Sequence, residues 1–362
     1  MMAAAGGDGP SGYIVGVESN NLTNNNLFVV DISDNTNPSV VGNLQYGYFR
    51  TASSIVAYPS QERVYVCDGY NGRIACVNMS DPTNPTFAGS KNVYSSGYVA
   101  RKIGIVGDVL ILYEHRNGDS YGRLSSYDLT SSLTNPTQID SVTGTTGVQM
   151  QSAWFDNDNG RLWMASIQDT ICVWDYSDTS NLSIIDYNNY PFANVDGPEP
   201  ITGYGDKAIY AETADGQFGI ATVSGGTIST SNTGSLGKTS NSNGMGIRLS
   251  SDGYCYFACA NFYQAGGFVL PHAQLSDGGT TSNFSSSSLT SLSGGSFAPG
   301  NVVTDNTENY LYFASWEAST TGSSQFLVLD VTNRTSPTEV STITLTGYNV
   351  YGFVNTLCHY NP

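Results

Sequence analysis

The sequence is poor in charged residues, and above all in basic ones. Of its 362 residues, 13 are Lys or Arg and 30 are Asp or Glu, so the net charge is −17. Without a basic stripe to displace the counterions of a polyanion, the chain is predicted to have no nucleic-acid partner. An anionic membrane surface is disfavoured for the same reason. Charged residues make up 12% of the chain, about half the share that is usual in globular proteins.

Long apolar runs are also missing. No run approaches the ~20 residues of a transmembrane helix, so we predict no direct membrane insertion. The first residues, MMAAAGGDGPSG, lack the basic and apolar regions of a signal peptide. We therefore expect a protein that stays in the cytoplasm or leaves the cell by lysis or within a particle. Residues 1–11 are expected to form a flexible or assembly-bound tail.

Cysteine and histidine are scarce, with six Cys and three His. They form no metal-binding or nucleophile motif, so we predict no catalytic residue, no metal site, no cofactor and no enzymatic activity. Cys67 and Cys76 flank Asn71-Gly72, a strong signal for a two-residue hairpin turn that places the two cysteines directly opposite each other. This arrangement is compatible with a disulfide or with two reduced thiols, and the lack of a signal peptide favours the thiols.

Uncharged polar residues take the place of the missing charges. The chain is rich in Gly, Ser, Thr and Asn and contains 24 Tyr. A surface of hydroxyls and amides is typical of extracellular and virion proteins.

A repeated unit organises the chain. Residues 74–90, IACVNMSDPTNPTFAGS, read as an apolar strand, a turn and a second short strand, and variants of this unit recur. The apolar strands end at Asp31, Asn78, Asp128, Asp175, Thr222 and Asp330. The first four intervals are 47, 50, 47 and 47 residues, and the last, of 108 residues, leaves room for one longer unit around residues 266–275. A period near 50 residues of short strands and Gly/Asn/Pro turns predicts a propeller.

Each unit divides into four strands, which we name A to D. In the second unit they cover residues 53–60, 63–69, 73–79 and 86–93, and B-type strands rich in β-branched and aromatic residues occur seven times. We predict an all-β fold: a single domain over residues 12–362 that forms a seven-bladed β-propeller of four-stranded antiparallel blades. The chain opens on a B strand and ends on an A strand at residues 349–360, so the C-terminal strand is expected to close the ring by joining the N-terminal strands.

Motifs such as LFVVDISDNTNP, IACVNMSDPTNP and FLVLDVTNRTSP, each an apolar strand followed by Asp and a Pro-containing turn, resemble the LVIVD repeat family of β-propellers. The likeness to WD repeats is more distant, although Trp174-Asp175 provides the WD pair. The resemblance covers four units well and the other three loosely or poorly. It implies a blade architecture and proteins of microbial surfaces, and it implies no catalytic residue.

Recognition is predicted on one face of the ring. The A–B and C–D turns emerge on a regular face (the turn face), and the B–C and D–A loops emerge on an irregular face (the loop face), where function more often lies. The irregular B–C loops include HRNGDSYG. Aromatic and charged residues of the D–A loops and adjoining strand ends are the candidate binding residues: Tyr46, Tyr48, Phe49, Arg50, Tyr94, Tyr98, Arg101, Tyr190, Phe192, Glu199, Tyr348 and Tyr351.

Three functions follow from these features. The favoured one is a non-catalytic structural or adhesion propeller on a virion or cell surface, whose loops bind an assembly partner protein or a surface glycan. The second is a glycan-acting enzyme at the channel mouth, which requires paired carboxylates such as Glu199 and a neighbour. The third is an intracellular protein-interaction platform.

Overall fold

Short strands rich in β-branched and aromatic residues make up almost all of the regular structure. The structure, a computed structural model, describes residues 12–18, 26–47, 49, 52–69, 72–93, 97–116, 121–145, 150–166, 170–189, 201–204, 206–212, 217–235, 242–261, 268–274, 285–289, 297–317, 323–346, 348 and 357–362. These residues form seven four-stranded antiparallel sheets, which are the predicted blades. The described part of the chain contains no helix of the length and hydrophobicity that crossing a membrane requires.

The first four blades contain most of the well-matched repeats. Blade 1 consists of β1 (Tyr13–Val17), β2 (Asn26–Asp31), β3 (Ser39–Gln45) and β28 (Leu357–Tyr360). Blade 2 consists of β4 (Ala52–Tyr58), β5 (Arg63–Asp68), β6 (Arg73–Asn78) and β7 (Thr86–Asn92). Blade 3 consists of β8 (Tyr98–Val106), β9 (Val109–Arg116), β10 (Tyr121–Asp128) and β11 (Thr137–Thr145). Blade 4 consists of β12 (Met150–Asp156), β13 (Arg161–Ser166), β14 (Thr170–Asp175) and β15 (Ser183–Asn189).

The remaining blades repeat the same order. Blade 5 consists of β16 (Ile201–Tyr204), β17 (Lys207–Glu212), β18 (Gln217–Ser224) and β19 (Thr227–Ser235). Blade 6 consists of β20 (Ser242–Leu249), β21 (Tyr254–Asn261), β22 (Phe268–Gln274) and β23 (Ser285–Leu289). Blade 7 consists of β24 (Phe297–Thr304), β25 (Tyr310–Glu317), β26 (Ser323–Asp330) and β27 (Thr338–Thr346). The A strands contact one another in a closed circuit from β28 through β4, β8, β12, β16, β20 and β24 back to β28, and so surround a central channel.

Burial explains the two kinds of strand pattern in each blade. The B strand β5 and the C strand β6 are buried on both faces between neighbouring blades, and each reads as a nearly continuous apolar run. The D strand β7, with sequence TFAGSKN, lies at the rim, and its residues are exposed or half-buried. The hydrophobic core is therefore divided into seven clusters, each between two adjacent blades.

Side-chain hydrogen bonds link neighbouring blades at repeated positions. On the D strands, Asp140 and Asp186 each accept a hydrogen bond at 2.8 Å from a backbone N–H of the next blade. In both cases the donor lies 42 residues further along the chain. Blade 7 is joined to blade 1 in a similar way, because the Tyr312 hydroxyl donates to Oδ1 of Asn35 at 3.0 Å. The ring is thus held by polar contacts as well as by its core.

The turn face has the regularity expected from the sequence. After strand C of blade 2, Asp81 accepts hydrogen bonds from the Thr83 hydroxyl at 2.7 Å and the Thr83 backbone N–H at 3.0 Å, and Asp34 of blade 1 accepts the same pair from Thr36. These hydrogen bonds lower the pKa of both aspartates, with the threonine hydroxyl as the largest cause. The carboxylates of these repeated turns therefore stabilise their own loops.

The register of the β5–β6 hairpin differs from the prediction. Asp68 lies opposite Arg73, so the loop contains four residues, and Cys67 pairs with Ile74 while Cys76 pairs with Tyr65. Both cysteines are buried free thiols in the cluster between blades 2 and 3. Burial raises the pKa of Cys76 to about 11, which keeps that thiol protonated and unreactive at neutral pH.

Two A–B turns contain a glutamate in the left-handed conformation, each with φ 54°. Gly160, at the matching turn of blade 4, has φ 64°. We expect Glu62→Gly to stabilise the protein by about 0.5 kcal/mol, because glycine removes the left-handed strain but adds entropy to the unfolded chain. Glu308→Gly is expected to lower stability, since Oε2 of Glu308 accepts hydrogen bonds from the Ser251 N–H and hydroxyl, both at 2.7 Å. Urea unfolding of the two variants tests this, and a loss of stability in Glu62→Gly contradicts it.

Candidate functional site

A group of aromatic and charged residues lies where blade 3 meets the loop face. Tyr98 begins β8, Arg116 ends β9 and Tyr121 begins β10, so all three lie at loop-face strand ends. Glu114 of β9 and Arg123 of β10 lie directly across from each other. We refer to these five residues as the loop-face cluster.

An ion pair fixes the centre of the loop-face cluster. Nε and Nη2 of Arg123 donate to the two carboxylate oxygens of Glu114 at 2.7 and 2.6 Å, a bidentate arrangement. The guanidinium also lies 4.7 Å from the ring centroid of Tyr98 and donates to the backbone carbonyl of Val93 in blade 2. Burial raises the pKa of Glu114, and the hydrogen bonds from Arg123 oppose that rise. The pair joins two blades beneath the surface.

A second stacked pair lies nearer to solvent. The guanidinium of Arg116 lies 5.2 Å from the ring centroid of Tyr121. Tyr121 is 44% exposed and is one of four large hydrophobic residues exposed in the described structure. An aromatic ring with a charged planar group over it provides apolar and hydrogen-bonding contacts side by side.

Five of the twelve sequence-predicted binding residues are described. Phe49 is fully buried between blades 1 and 2, beside Tyr46, which stacks on Phe87 with ring centroids 3.9 Å apart. Tyr348 is buried between blades 7 and 1. Tyr98 belongs to the loop-face cluster, and Arg101 lies on the A strand β8. The other seven lie outside the described residues: Tyr48, Arg50, Tyr94, Tyr190, Phe192, Glu199 and Tyr351.

Sequence reasoning missed the acidic residues at the loop-face ends of the B strands. Glu18 and Asp68 occupy the same repeat position as Glu114, and all three are buried. Glu18 accepts a hydrogen bond from the backbone N–H of Asn26 at 2.8 Å, which ties strand B to strand C. The sequence contained a signal for them, because an acidic residue ends the apolar run in GVES, VCDG and YEHR.

The central channel contains a cavity of about 320 Å³ to which every A strand contributes. Its polar lining includes Ser54, Ser152, Thr202 and Arg248, and Trp154 is among its aromatic residues. The two serines have equivalent roles, since each Oγ accepts a hydrogen bond from the backbone N–H of the next blade, that of Ile103 at 3.3 Å or Ile201 at 3.1 Å. The channel wall is therefore a repeated structure with hydroxyl groups at matched heights.

Glycines allow aromatic side chains to reach the cavity. A Cβ on Gly203 would lie 1.9 Å from Cζ3 of Trp154, and a Cβ on Gly104 would lie 2.5 Å from Cδ1 of Phe155. Atoms do not approach so closely in proteins, so any larger residue at these two A-strand positions would displace Trp154 or Phe155. The present packing therefore requires glycine at both positions. Within the described residues, no group of three or more His, Cys, Asp or Glu side chains is arranged to hold a metal ion.

Comparisons with known proteins identify the repeats. The LVIVD repeat family matches residues 22–45 and 307–344, which include strands C and D of blade 1 and strands B and C and most of strand D of blade 7. No curated protein sequence matches the chain.

Solved structures share the fold at low sequence identity. A hypothetical selenium-binding protein from Sulfolobus tokodaii has a TM-score of 0.72 at 11% identity, with 98% of this chain and 97% of that chain covered. The periplasmic gluconolactonase of Pseudomonas aeruginosa has a TM-score of 0.66 at 11% identity, covering 96% and 98%. A functionally unknown protein from Desulfotomaculum acetoxidans has a TM-score of 0.64 at 13% identity, covering 97% and 100%.

The gluconolactonase contradicts the expectation that the chain is not an enzyme. That expectation rested on the lack of short catalytic motifs, but a propeller brings together residues from different blades, about 50 residues apart in sequence. A missing local motif is therefore no argument against catalysis in this fold, and the expectation is withdrawn.

The repeats and the fold agree with each other. The family match falls on the strand-turn-strand units whose first strands end at Asp31 and Asp330, and the structure places these units in adjacent blades of one ring. The chain is a seven-bladed β-propeller with LVIVD-like repeats.

Proposed function

We propose that this propeller is a recognition module on the surface of a virion or a cell, and that it binds a glycan at the loop-face cluster. The observation that carries the proposal is the exposed Tyr121 ring with Arg116 over it, beside the fixed Arg123–Glu114 pair. The apolar face of a sugar ring packs on tyrosine, and guanidinium groups donate hydrogen bonds to sugar hydroxyls. The uncharged polar surface, rich in Ser, Thr and Asn, supports a place outside the cell.

The distribution of exposed apolar residues favours a glycan over a protein. The centre of a protein interface is apolar and contiguous. The large hydrophobic residues exposed in the described structure lie on four different strands and are Val40, Tyr121, Ile139 and Tyr187. Scattered single residues of this kind do not form an apolar interface centre.

The turn face supports the same location for the ligand. Its repeated aspartates accept hydrogen bonds from their own loops, as Asp81 does from Thr83 and Asp178 does from Ser180. In each case Oδ1 accepts both hydrogen bonds and so holds the carboxylate in its own turn. The loop face carries the exposed Tyr121 ring with Arg116 over it.

Binding of the purified full-length protein to a glycan array tests the proposal. Tyr121→Ala is expected to weaken binding about tenfold or more, as for a central aromatic contact, whereas Tyr121→Phe keeps most of the affinity. Tyr187→Ala is the matched control, because this tyrosine is 52% exposed and lies on the D strand β15 of the next blade.

Three outcomes contradict the proposal. Glycan affinity that is unchanged in Tyr121→Ala places the site elsewhere. Capture of a protein partner by a propeller that binds no glycan on the array replaces the glycan with a protein. Antibody labelling that detects the protein only inside lysed cells, and never on intact particles or cells, contradicts surface display.

A further inference from the structure

The charged side chains of the A strands differ in sign from the net charge of the whole protein. The chain has a net charge of −17, but the charged side chains of its A strands are mostly basic: Arg101, Lys102 and Arg248, against Asp156. The carboxylate of Asp156 accepts hydrogen bonds from the backbone and side chain of Asn159, in the A–B turn. Of these four side chains, Arg248 is the one that lines the channel cavity.

Arg248 lines the cavity, and one of its N–H donors has no acceptor in the described structure. Its Nη2 donates to Oγ1 of Thr304 at 2.9 Å, while its Nε is buried and has no hydrogen-bond partner in the described structure. Burial lowers the pKa of Arg248 and the carboxylate of Glu308 opposes that shift, but an arginine remains protonated in proteins at any ordinary pH. A buried guanidinium N–H without a hydrogen-bond acceptor is unfavourable unless a ligand supplies one.

Lys102 is the second unusual cation. It occupies the same position along strand A as Ser54 and Ser152, since all three lie opposite the fifth residue of the following B strand. Ser54 and Ser152 line the cavity, whereas Lys102 does not, although Ile103 beside it on β8 does. Lys102 is 1% exposed, and its Nζ has no hydrogen-bond partner in the described part of the protein. Lys102 is therefore a buried cation outside the cavity, and Arg248 is the cation that lines it.

We propose that the central channel binds a small organic anion, a carboxylate or a phosphate ester, with Arg248 as its direct contact. The fork of Arg248 matches both oxyanions in a bidentate geometry. The cavity of about 320 Å³ is at the lower end of the size range of small-molecule sites, which limits the ligand to a small metabolite. The serine and threonine hydroxyls of the wall hydrogen-bond to the rest of it.

Calorimetric titration of the full-length protein tests the proposal, with inorganic phosphate and citrate as the two anionic probes and glucose as the neutral probe. We expect saturable binding of at least one anion and none of glucose. Arg248→Gln is expected to weaken that binding about ten- to one-hundred-fold, as for loss of a charge-assisted contact. Arg248→Lys, which keeps the positive charge and loses the planar fork, is expected to weaken it several-fold. Lys91→Gln, on the D strand β7, is the control for net charge and leaves the affinity unchanged.

The comparison of phosphate with citrate identifies which oxyanion the site prefers. Wild-type affinity in both Arg248→Gln and Arg248→Lys overturns the proposal, as does the absence of saturation by either anion up to tens of millimolar. Glucose binding that equals anion binding overturns it too. If Arg248→Gln does not fold, Arg248→Lys decides the question, because lysine keeps the positive charge and removes the bidentate fork.

Discussion

A protein that lacks residues 357–362 is expected to lose its cooperative unfolding transition, although it retains more than 98% of the chain. The deleted segment contains β28, the A strand of blade 1, which pairs with β1 from Tyr13 to Gly16. Without it, blade 1 has three strands and the circuit of A strands is open between β24 and β4.

The segment contributes to two of the interfaces between blades. Leu357 packs in the cluster between blades 7 and 1, and Tyr360 packs in the cluster between blades 1 and 2. The Tyr360 hydroxyl also donates to the backbone carbonyl of Met79 at 3.2 Å. Losing one large core side chain destabilises a protein by about 2–5 kcal/mol, and whole domains are stable by about 5–15 kcal/mol. Two such losses, together with an exposed strand edge, approach the entire stability of the ring.

Thermal unfolding followed by circular dichroism and calorimetry measures the effect. The matched control is deletion of residues 361–362 alone, which are exposed and belong to no strand. The control is expected to keep the melting temperature within about 1 °C. If the longer deletion also melts like the intact protein, closure of the ring by β28 does not hold the fold together.

Lys102→Met is expected to make the protein more stable, by about 2–4 kcal/mol at pH 6. Burial lowers the pKa of Lys102 from 10.5 to about 7; the charge of Arg101 acts in the same direction, and Cys67 opposes the shift. Burial raises the pKa of the Cys67 thiol, and the nearby carboxylates of Glu114 and Asp68 raise it as well. Because the difference between the two lysine pKa values corresponds to ~5 kcal/mol, even an imperfect fit of methionine leaves a net gain.

The pH dependence gives this prediction its clearest signature. The folded-state pKa of Lys102 lies below the unfolded-state pKa, so the unfolded chain binds more protons between about pH 7 and 10.5. The wild-type protein is therefore expected to gain stability from Lys102 as the pH rises through that window. The destabilisation of the folded protein by the buried Lys102 is complete below about pH 7 and has disappeared above about pH 10.5.

Urea unfolding of the wild type and the variant at pH 6 and pH 9.5 gives the difference between their free energies of unfolding at each pH. The contributions of the other titrating groups cancel in this difference. We expect the extra stability of Lys102→Met to be smaller at pH 9.5 than at pH 6. Lys91→Met, the same change on the D strand β7, is the control and has little effect. A Lys102→Met protein that is less stable than the wild type at pH 6, or a gain that is equal at both pH values, contradicts the prediction.

The blades were predictable because their signals are local. The apolar strands expected to end at Asp31, Asn78, Asp128, Asp175 and Asp330 end there in the structure, each as a C strand. The Pro- and Asp-containing turn that follows depends on hydrogen bonds within two or three residues, such as those from Thr83 to Asp81. The expected C-terminal strand over residues 349–360 is confirmed from Leu357 to Tyr360, and residues 349–356 lie outside the described residues.

The error in the β5–β6 register has a simple cause. The predicted pairing of Cys67 with Cys76 and the observed pairing of Cys67 with Ile74 differ by two residues along one strand. Since side chains alternate with a period of two, both registers bury the same residues on the same face. The hydrophobic pattern therefore favours neither register, and only the loop geometry decides between them.

The candidate site was predictable in part. Tyr98 was among the expected binding residues, and the B–C loop HRNGDSYG, which contains Arg116 and Tyr121, was identified as irregular. The pairing of Arg123 with Glu114 was not visible, because it depends on which residues of β9 and β10 lie opposite each other. Phe49 and Tyr348, two aromatic residues of the D–A loops, were expected to bind a ligand, but they are buried between blades.

The sequence by itself determined the strands, the turns, the number of blades and the expected closure of the ring, because each of these depends on residues close together in the chain or on their repetition. Only the tertiary structure decided what the ring encloses. Arg248 and the serines of the channel wall lie on separate A strands, and only the packing of the blades brings them around one cavity. The repeat period places equivalent residues at equal heights, but it does not show which of them face the cavity. A cation in the channel wall of an acidic protein therefore becomes visible only when the blades are assembled.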